Sequence, residues 1–332
     1  MRFELHFCRG RAICRTLGLL AILATALGLA EATLAAEPAV ESPTMPAASQ
    51  AADSTTMPAT TDSPQKPADQ SPVVWHTDYS QAMDLAKAEK KMLLLCFHGT
   101  GNDCICDRFR AETQTNQEIC RRLQDYVCVS LPLAAKIKMQ GKETVLLQHP
   151  SFSEMLGRPG VAILDFAHTD AFYYGSVVST LPLTGQRWYT SEQMSVILDL
   201  PPGTLTQRTL IYVVRTHPEK PASTKGRLDP NLAKEAESHS QYQARIRLQG
   251  HHNWGMRFQR INARLPGGEL AREVCAESWP GQRLLEAAID CVACWRSSSG
   301  HWSAVRSAHG YYGYDMKRGS NGIWYATGIF GG

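Results

Sequence analysis

The chain has no block of basic residues, so nothing in it supplies the phosphate-neutralising surface that nucleic-acid binding needs. A membrane-spanning helix takes roughly 20 apolar residues, and the apolar run at residues 17–30 is shorter. Large apolar side chains are almost absent from residues 37–72, which are Pro, Ala, Ser, Thr and Gln with Thr-Met-Pro-Ala starting at Thr44 and again at Thr56. Such a segment cannot bury enough surface to offset its ordering entropy and reads as a linker. Cys291-Val-Ala-Cys294 has no second cysteine pair to complete a metal site.

What is present divides readily. Arg2, Arg9, Arg11 and Arg15 precede the apolar run, and small residues follow it at Ala30-Glu31-Ala32 and Leu34-Ala35-Ala36. This is the pattern of a signal peptide, with cleavage expected between residues 32 and 36. Removal of residues 1–36 takes the formal charge from +3 to +1 and leaves a mature chain with no membrane span. Hydrophobic residues make up 43% and charged residues 20%, values of a soluble globular protein. The remaining length exceeds one ordinary core, so two domains are expected, at residues 74–200 and 203–332 on either side of Pro201-Pro202-Gly203. Export, to the periplasm or outside the cell, permits disulfides among Cys96, Cys104, Cys106, Cys120, Cys128, Cys275, Cys291 and Cys294. Their connectivity is open.

In the first half the spacing predicts a helix over residues 79–90 and a buried strand over 92–97. Helices follow over 104–113 and 116–124, then strands over 126–131, 161–166 and 172–178 and a helix over 191–200. This is a mixed sheet flanked by helices, an α/β class. In the second half, residues 205–216, 231–248 and 282–295 read as helices. Leu284, Leu285, Ala288, Cys291, Val292 and Trp295 share one face of the last. The glycine- and aromatic-rich tail, 310–330, reads as paired strands, so this half is α+β.

The first half resembles the thioredoxin-like superfamily, in Lys91-Met-Leu-Leu-Leu-Cys-Phe97, Cys104-Ile-Cys106-Asp-Arg-Phe and Arg158-Pro159-Gly-Val-Ala-Ile-Leu. The resemblance implies a cis proline at Pro159 against the active-site cysteines, and thiol exchange by Cys104 and Cys106. The family pair is Cys-x-x-Cys, in which the helix N-terminus stabilises the first thiolate and the second thiol resolves the mixed disulfide. Here Cys106 falls at the second position, Asp103 or Asn102 stands at the first, and the pair is Cys104-x-Cys106. Exchange competes with a module whose cysteines pack, pair permanently or bind a partner. Cys96 reads as a core residue, and Cys120 and Cys128 as core residues or a structural pair.

The second half resembles the CAP superfamily of cysteine-rich secretory, antigen 5 and pathogenesis-related proteins. The residues are Leu228-Asp-Pro-Asn-Leu-Ala, Gln249-Gly-His-His-Asn-Trp254, Cys275-Ala-Glu-Ser-Trp279 and Trp295-Arg-Ser-Ser-Ser-Gly-His-Trp302. The resemblance implies a three-layer α-β-α fold whose cleft gathers His251 (or His252), Glu277 and His301, a set suited to a divalent metal such as zinc. The second glutamate of many members is Ser298 here. The competing role for these residues is a hydrogen-bonded cluster that shapes the cleft. His239, His309 and Tyr311-Tyr312 read as structural, and Cys291 and Cys294 as core, with one of them bonded to Cys275 as an option. The expectation is an exported protein whose second half binds a small ligand, a wall component or a protein while its first half assists or exchanges disulfides. The alternative is a periplasmic thiol-disulfide oxidoreductase with a recognition domain.

Overall fold

The first sheet is built around β2 (Met92–His98), whose unbroken apolar run is explained by its place between β3 (Tyr126–Pro132) and β6 (Gly160–Leu164). With both faces covered, alternate residues enter different clusters: Leu93, Leu95 and Phe97 on one side, Leu94 and Cys96 on the other. A computed structural model describes residues 73–99, 111, 115–139, 141–184, 189–265 and 270–332, all within one compact unit, residues 65–332. Residues 1–72, with the expected signal peptide and linker, and Cys104 and Cys106 lie outside the described residues.

The strand order is β1 (Trp75–His76), β3, β2, β6, β7 (Val177–Pro182). β2 runs parallel to β3 and antiparallel to β6. Helix α1 (Tyr79–Glu89) starts at an Asp78 cap and ends at Lys90 in the left-handed region, burying Ala82 and Ala86 against the Leu93 face. Helices α2 (Gln117–Leu123) and α3 (Ser191–Leu198) cover the other face with Ile119, Leu123, Met194 and Ile197. A hairpin of β4 (Lys136–Met139) and β5 (Lys142–Val145) stands apart as a two-stranded sheet.

Two expectations are corrected here. The strand expected over residues 172–178 begins only at Val177, because the Asp165 carboxylate accepts the backbone N–H groups of Ala167 and His168 and its carbonyl accepts that of Gly175. Those bonds hold a longer turn, and Phe172 is left exposed. Pro159 follows a trans peptide, as no described peptide bond is cis. The Pro159 carbonyl accepts from Leu183 N at 2.7 Å, and the next residue must be glycine, since a Cβ on Gly160 would lie 2.2 Å from Leu181 O.

The second sheet runs β8 (Arg227–Leu228), β10 (Tyr311–Arg318), β11 (Trp324–Gly331), β9 (Arg272–Glu277). Tyr312, Tyr314, Met316, Trp324, Ala326 and Phe330 pack with α4 (Leu205–Arg215), α7 (Leu284–Ser297) and α8 (Ser299–Arg306). Ile329 lies on the opposite face, with Leu232 and Ala236 of α5 (Pro230–Ile246) and Ile261 of α6 (Trp254–Asn262). Helix α5 approaches β10 closely at Gly313, where a Cβ would meet the Ala233 nitrogen and the Leu232 carbonyl carbon at 2.3 Å. The six residues assigned to one face of α7 are all buried.

Between the two sheets α4 is buried from Gln207 to Val214, and the apolar cluster is continuous from β2 through α4 to β11. The guanidinium of Arg208 is fully enclosed and donates to Ser179 Oγ, Leu200 O, Pro201 O and Ile197 O. No described helix is long and apolar enough to cross a membrane. The whole is a mixed α/β protein.

Candidate functional site

Three stretches that are distant in sequence converge at one edge of the second sheet. His251 sits in the loop before α6, which opens at Asn253 in the left-handed region with φ 54°. His301 lies in the first turn of α8. Glu273 comes from β9, where a period of two puts Glu273, Cys275 and Glu277 on one face. Cys275 pairs opposite Thr327, which accepts hydrogen bonds from Ser240 and Gln243 of α5, so this face looks toward α5.

His251 is the hub. Its Nε2 stands 3.3 Å from His301 Nε2 and its Nδ1 stands 3.0 Å from Glu273 Oε1, while Cys275 Sγ is 3.8 Å from the same Nδ1. With the proton on Nδ1 donated to the carboxylate, Nε2 of His251 presents a lone pair. Half of the site is buried: the His251 side chain is 42% exposed and that of Glu273 is 1% exposed. The other carboxylate oxygen, Oε2, lies 2.5 Å from Arg257 Nη2, and His239 Nε2 approaches Oε1 at 3.8 Å while bonding to Gly250 O at 2.9 Å.

The titration tendencies follow from this packing. Burial works to raise the Glu273 pKa, but the hydrogen bond from His251 and the Arg257 guanidinium outweigh it and hold the carboxyl below its usual range. Burial, then the neighbouring His251, lowers His301. Burial lowers His239 as well, so both imidazoles favour the neutral, ligating form. Burial, followed by the Glu273 charge, drives the Cys275 thiol up.

The expected carboxylate does not join the histidines. Among the described residues the histidine, cysteine and acidic group whose ligand atoms lie within 4.8 Å of one another is His239, Glu273 and Cys275, not His251, Glu277 and His301. Glu277 pairs opposite Tyr325 at the other end of β9, and burial raises its pKa. Glu273 was legible as a site residue only through the strand's period of two, which ties it to Cys275 and Glu277. Arg257, three residues beyond the His-His-Asn-Trp stretch, carries no such signal.

The remaining candidates fall elsewhere. His252 bonds to Leu248 O, and His309 stacks on Phe330 and bonds to Ala304 O. Cys275 and Cys291 are buried thiols, which corrects the optional bond between Cys275 and the Cys291-Cys294 pair. Cys128 is a buried thiol too, so it forms no pair with Cys120. Cys128 and Cys291 sit in the apolar cluster as core positions, whereas Cys275 lies among the polar groups of the histidine site. Cys294 is exposed rather than core, since it points off the buried face of α7.

No family model matches the chain, and a comparison with curated proteins returns no match. Among solved structures it is similar to an outer surface protein from Borrelia burgdorferi, at 18% identity and a TM-score of 0.30 over 45% of this chain and 98% of that one. It is also similar to a thioredoxin from Thermus thermophilus, at 17% identity and a TM-score of 0.19 over 28% of this chain and 65% of that one. Likenesses this weak bear no functional weight, and the class defined by the elements themselves is a mixed α/β protein.

Proposed function

We propose that the chain is an exported binding protein whose CAP-like half, residues 203–332, holds a divalent metal ion such as zinc on His251 and His301 and offers it to a ligand. The observation that carries this is the 3.3 Å between the two Nε2 atoms. Two nitrogens each about 2.0–2.1 Å from a tetrahedral zinc stand about 3.3–3.4 Å apart, so the pair needs almost no movement to share an ion. Glu273 on Nδ1 fixes the His251 tautomer and ring orientation, the role carboxylates play behind metal-bound histidines. A bound ion would supply Lewis-acid attraction for a ligand oxygen or carboxylate at its open positions.

The helix, sheet, helix layering of α4, α7 and α8 against α5 and α6 supports the CAP-like reading, and the order β1, β3, β2, β6, β7 supports a thioredoxin-like reading of residues 74–200. The signal-like residues 1–36 support a secreted or periplasmic location. The ligand classes that suit an exposed metal are a small anionic molecule, a cell-wall component or a protein side chain. Elemental analysis of the zinc-loaded protein tests the site. His301→Ala should lose one equivalent of zinc while staying folded, and retention of all the zinc refutes the proposal.

A second reading, a periplasmic thiol-disulfide oxidoreductase, assigns exchange to Cys104 and Cys106. Burial pushes Cys128 up to about 12 and drives Cys275 and Cys291 well above their usual range, which leaves these three thiols out of exchange. Exchange needs a thiolate, so those three are poor candidates. Insulin reduction by a Cys104→Ser, Cys106→Ser double variant at the wild-type rate would exclude this reading.

A further inference from the structure

We infer a second metal site, directly inside the histidine pair, in which Cys275, Glu273 and His239 hold a zinc-type ion and His251 completes the shell through Nδ1. The sulfur, carboxylate oxygen and imidazole nitrogen of the first three already lie within 4.8 Å of one another, and all three residues are buried at this face of β9. His251 Nδ1 is 3.0 Å from Glu273 Oε1 and 3.8 Å from Cys275 Sγ, and His239 Nε2 is 3.8 Å from Oε1. In a tetrahedral zinc site with bonds of about 2.0–2.3 Å the ligand atoms stand about 3.3–3.6 Å apart, so each of these separations changes by less than about 0.5 Å.

The donor set suits the ion. One sulfur, one oxygen and two imidazole nitrogens form the borderline mixture that zinc takes, and a thiolate disfavours the hard cations magnesium and calcium. Binding breaks the Cys275 S–H bond and releases that proton to solvent. The His239 proton, now donated from Nε2 to Gly250 O, moves to Nδ1 as Nε2 turns to the ion. The thiolate and carboxylate neutralise the two charges of the metal. Arg257 stays on Oε2 and leaves Oε1 as the single ligand atom of Glu273. A thiol only 2% exposed is poorly placed for disulfide exchange, whereas ligation is chemistry that burial permits. The His251 Nδ1 proton, donated to Glu273 in the metal-free protein, also leaves Nδ1: it moves to Nε2 when only the inner ion is bound, and is released to solvent when both are, His251 then bridging the two ions as an imidazolate with Nε2 outward and Nδ1 inward.

Cobalt(II) distinguishes the two sites, because only a thiolate ligand produces the intense near-ultraviolet sulfur-to-cobalt absorption. The full mature chain is used with Cys104→Ser and Cys106→Ser, so that neither can donate sulfur. The band should appear in this protein, persist in the added His301→Ala variant and vanish with Cys275→Ser together with one equivalent of cobalt. X-ray absorption on the parent protein, which needs no further substitution, should show one sulfur neighbour per inner cobalt. Absence of the band and of a sulfur neighbour overturns the inner site, as does a band that survives Cys275→Ser. In that event, loss of one cobalt equivalent on His301→Ala leaves the outer pair standing by itself, so the two assignments fail separately.

Discussion

Replacing Arg208 with methionine isolates the polar joint across the two sheets. Methionine keeps the apolar stem inside the cluster and deletes the guanidinium, which donates at 2.9 Å to both Leu200 O and Pro201 O and at 3.0 Å to Ser179 Oγ. A hydrogen bond to a charged donor has a net worth of about 1.5–3 kcal/mol. Nη1 carries two N–H groups, one for each carbonyl, so with Ser179 on Nε the deletion removes these three bonds. At the lower end of that range the loss is about 4.5 kcal/mol. Arg208→Lys, a point donor that cannot reproduce the fork, should lose about half as much. Urea unfolding gives the total, and amide exchange of β2 and β11 gives its distribution. In the wild type the slowest amides of both strands should open with one free energy; in Arg208→Met the two values should separate. A variant within about 0.5 kcal/mol of wild type, the usual range of an inert surface change, would refute the reasoning. So would strands that already open independently in the wild type.

Glu273→Gln should weaken zinc binding at the outer histidine pair about 10- to 100-fold by removing the charge behind His251, while Glu277→Gln changes it by less than about 2-fold; the reverse order in calorimetric titration would restore Glu277 to the site. Gly313→Ala should cost about 2 kcal/mol or more, because its Cβ meets helix backbone rather than a movable side chain, and an unchanged melting temperature would refute that packing. His239 and His301 have folded pKa values below their unfolded ones, so their contribution is present above about pH 6.5 and is lost as pH falls through the folded values. Metal-free protein should therefore melt at a lower temperature at pH 5.5 than at pH 7.5, and a flat or rising profile toward acid would contradict the burial of these imidazoles.

Elements with an uninterrupted period were legible in the sequence. The buried face of α7 needed no tertiary information, because a 3.6-residue repeat writes it directly into residue order, and the unbroken apolar run of β2 marks a strand covered on both faces. Short elements whose burial is set by partners were not. Helix α6 has apolar residues at Trp254, Met256, Phe258 and Ile261, yet it also buries Arg257 against Glu273, a pairing invisible until β9 and α6 are side by side. The strand β9, Arg-Glu-Val-Cys-Ala-Glu, buries three consecutive residues and also encloses the charged side chain of Glu273.

The same limit explains the site. His251 and His301 were nameable because each lies in a short stretch whose residue types resemble a known cleft, but the choice between Glu273 and Glu277 is a choice between two positions on one face of one strand. Residue type and period are identical for both. What separates them is depth: Glu273 lies between His251, His239 and Arg257, whereas Glu277 is near the strand's end, opposite Tyr325. Arg257 decides the matter electrostatically, since a carboxylate buried to this extent stays ionised only beside a compensating cation. An ionised Glu273 keeps the proton on His251 Nδ1, and that proton leaves Nε2 facing His301 with a lone pair to give.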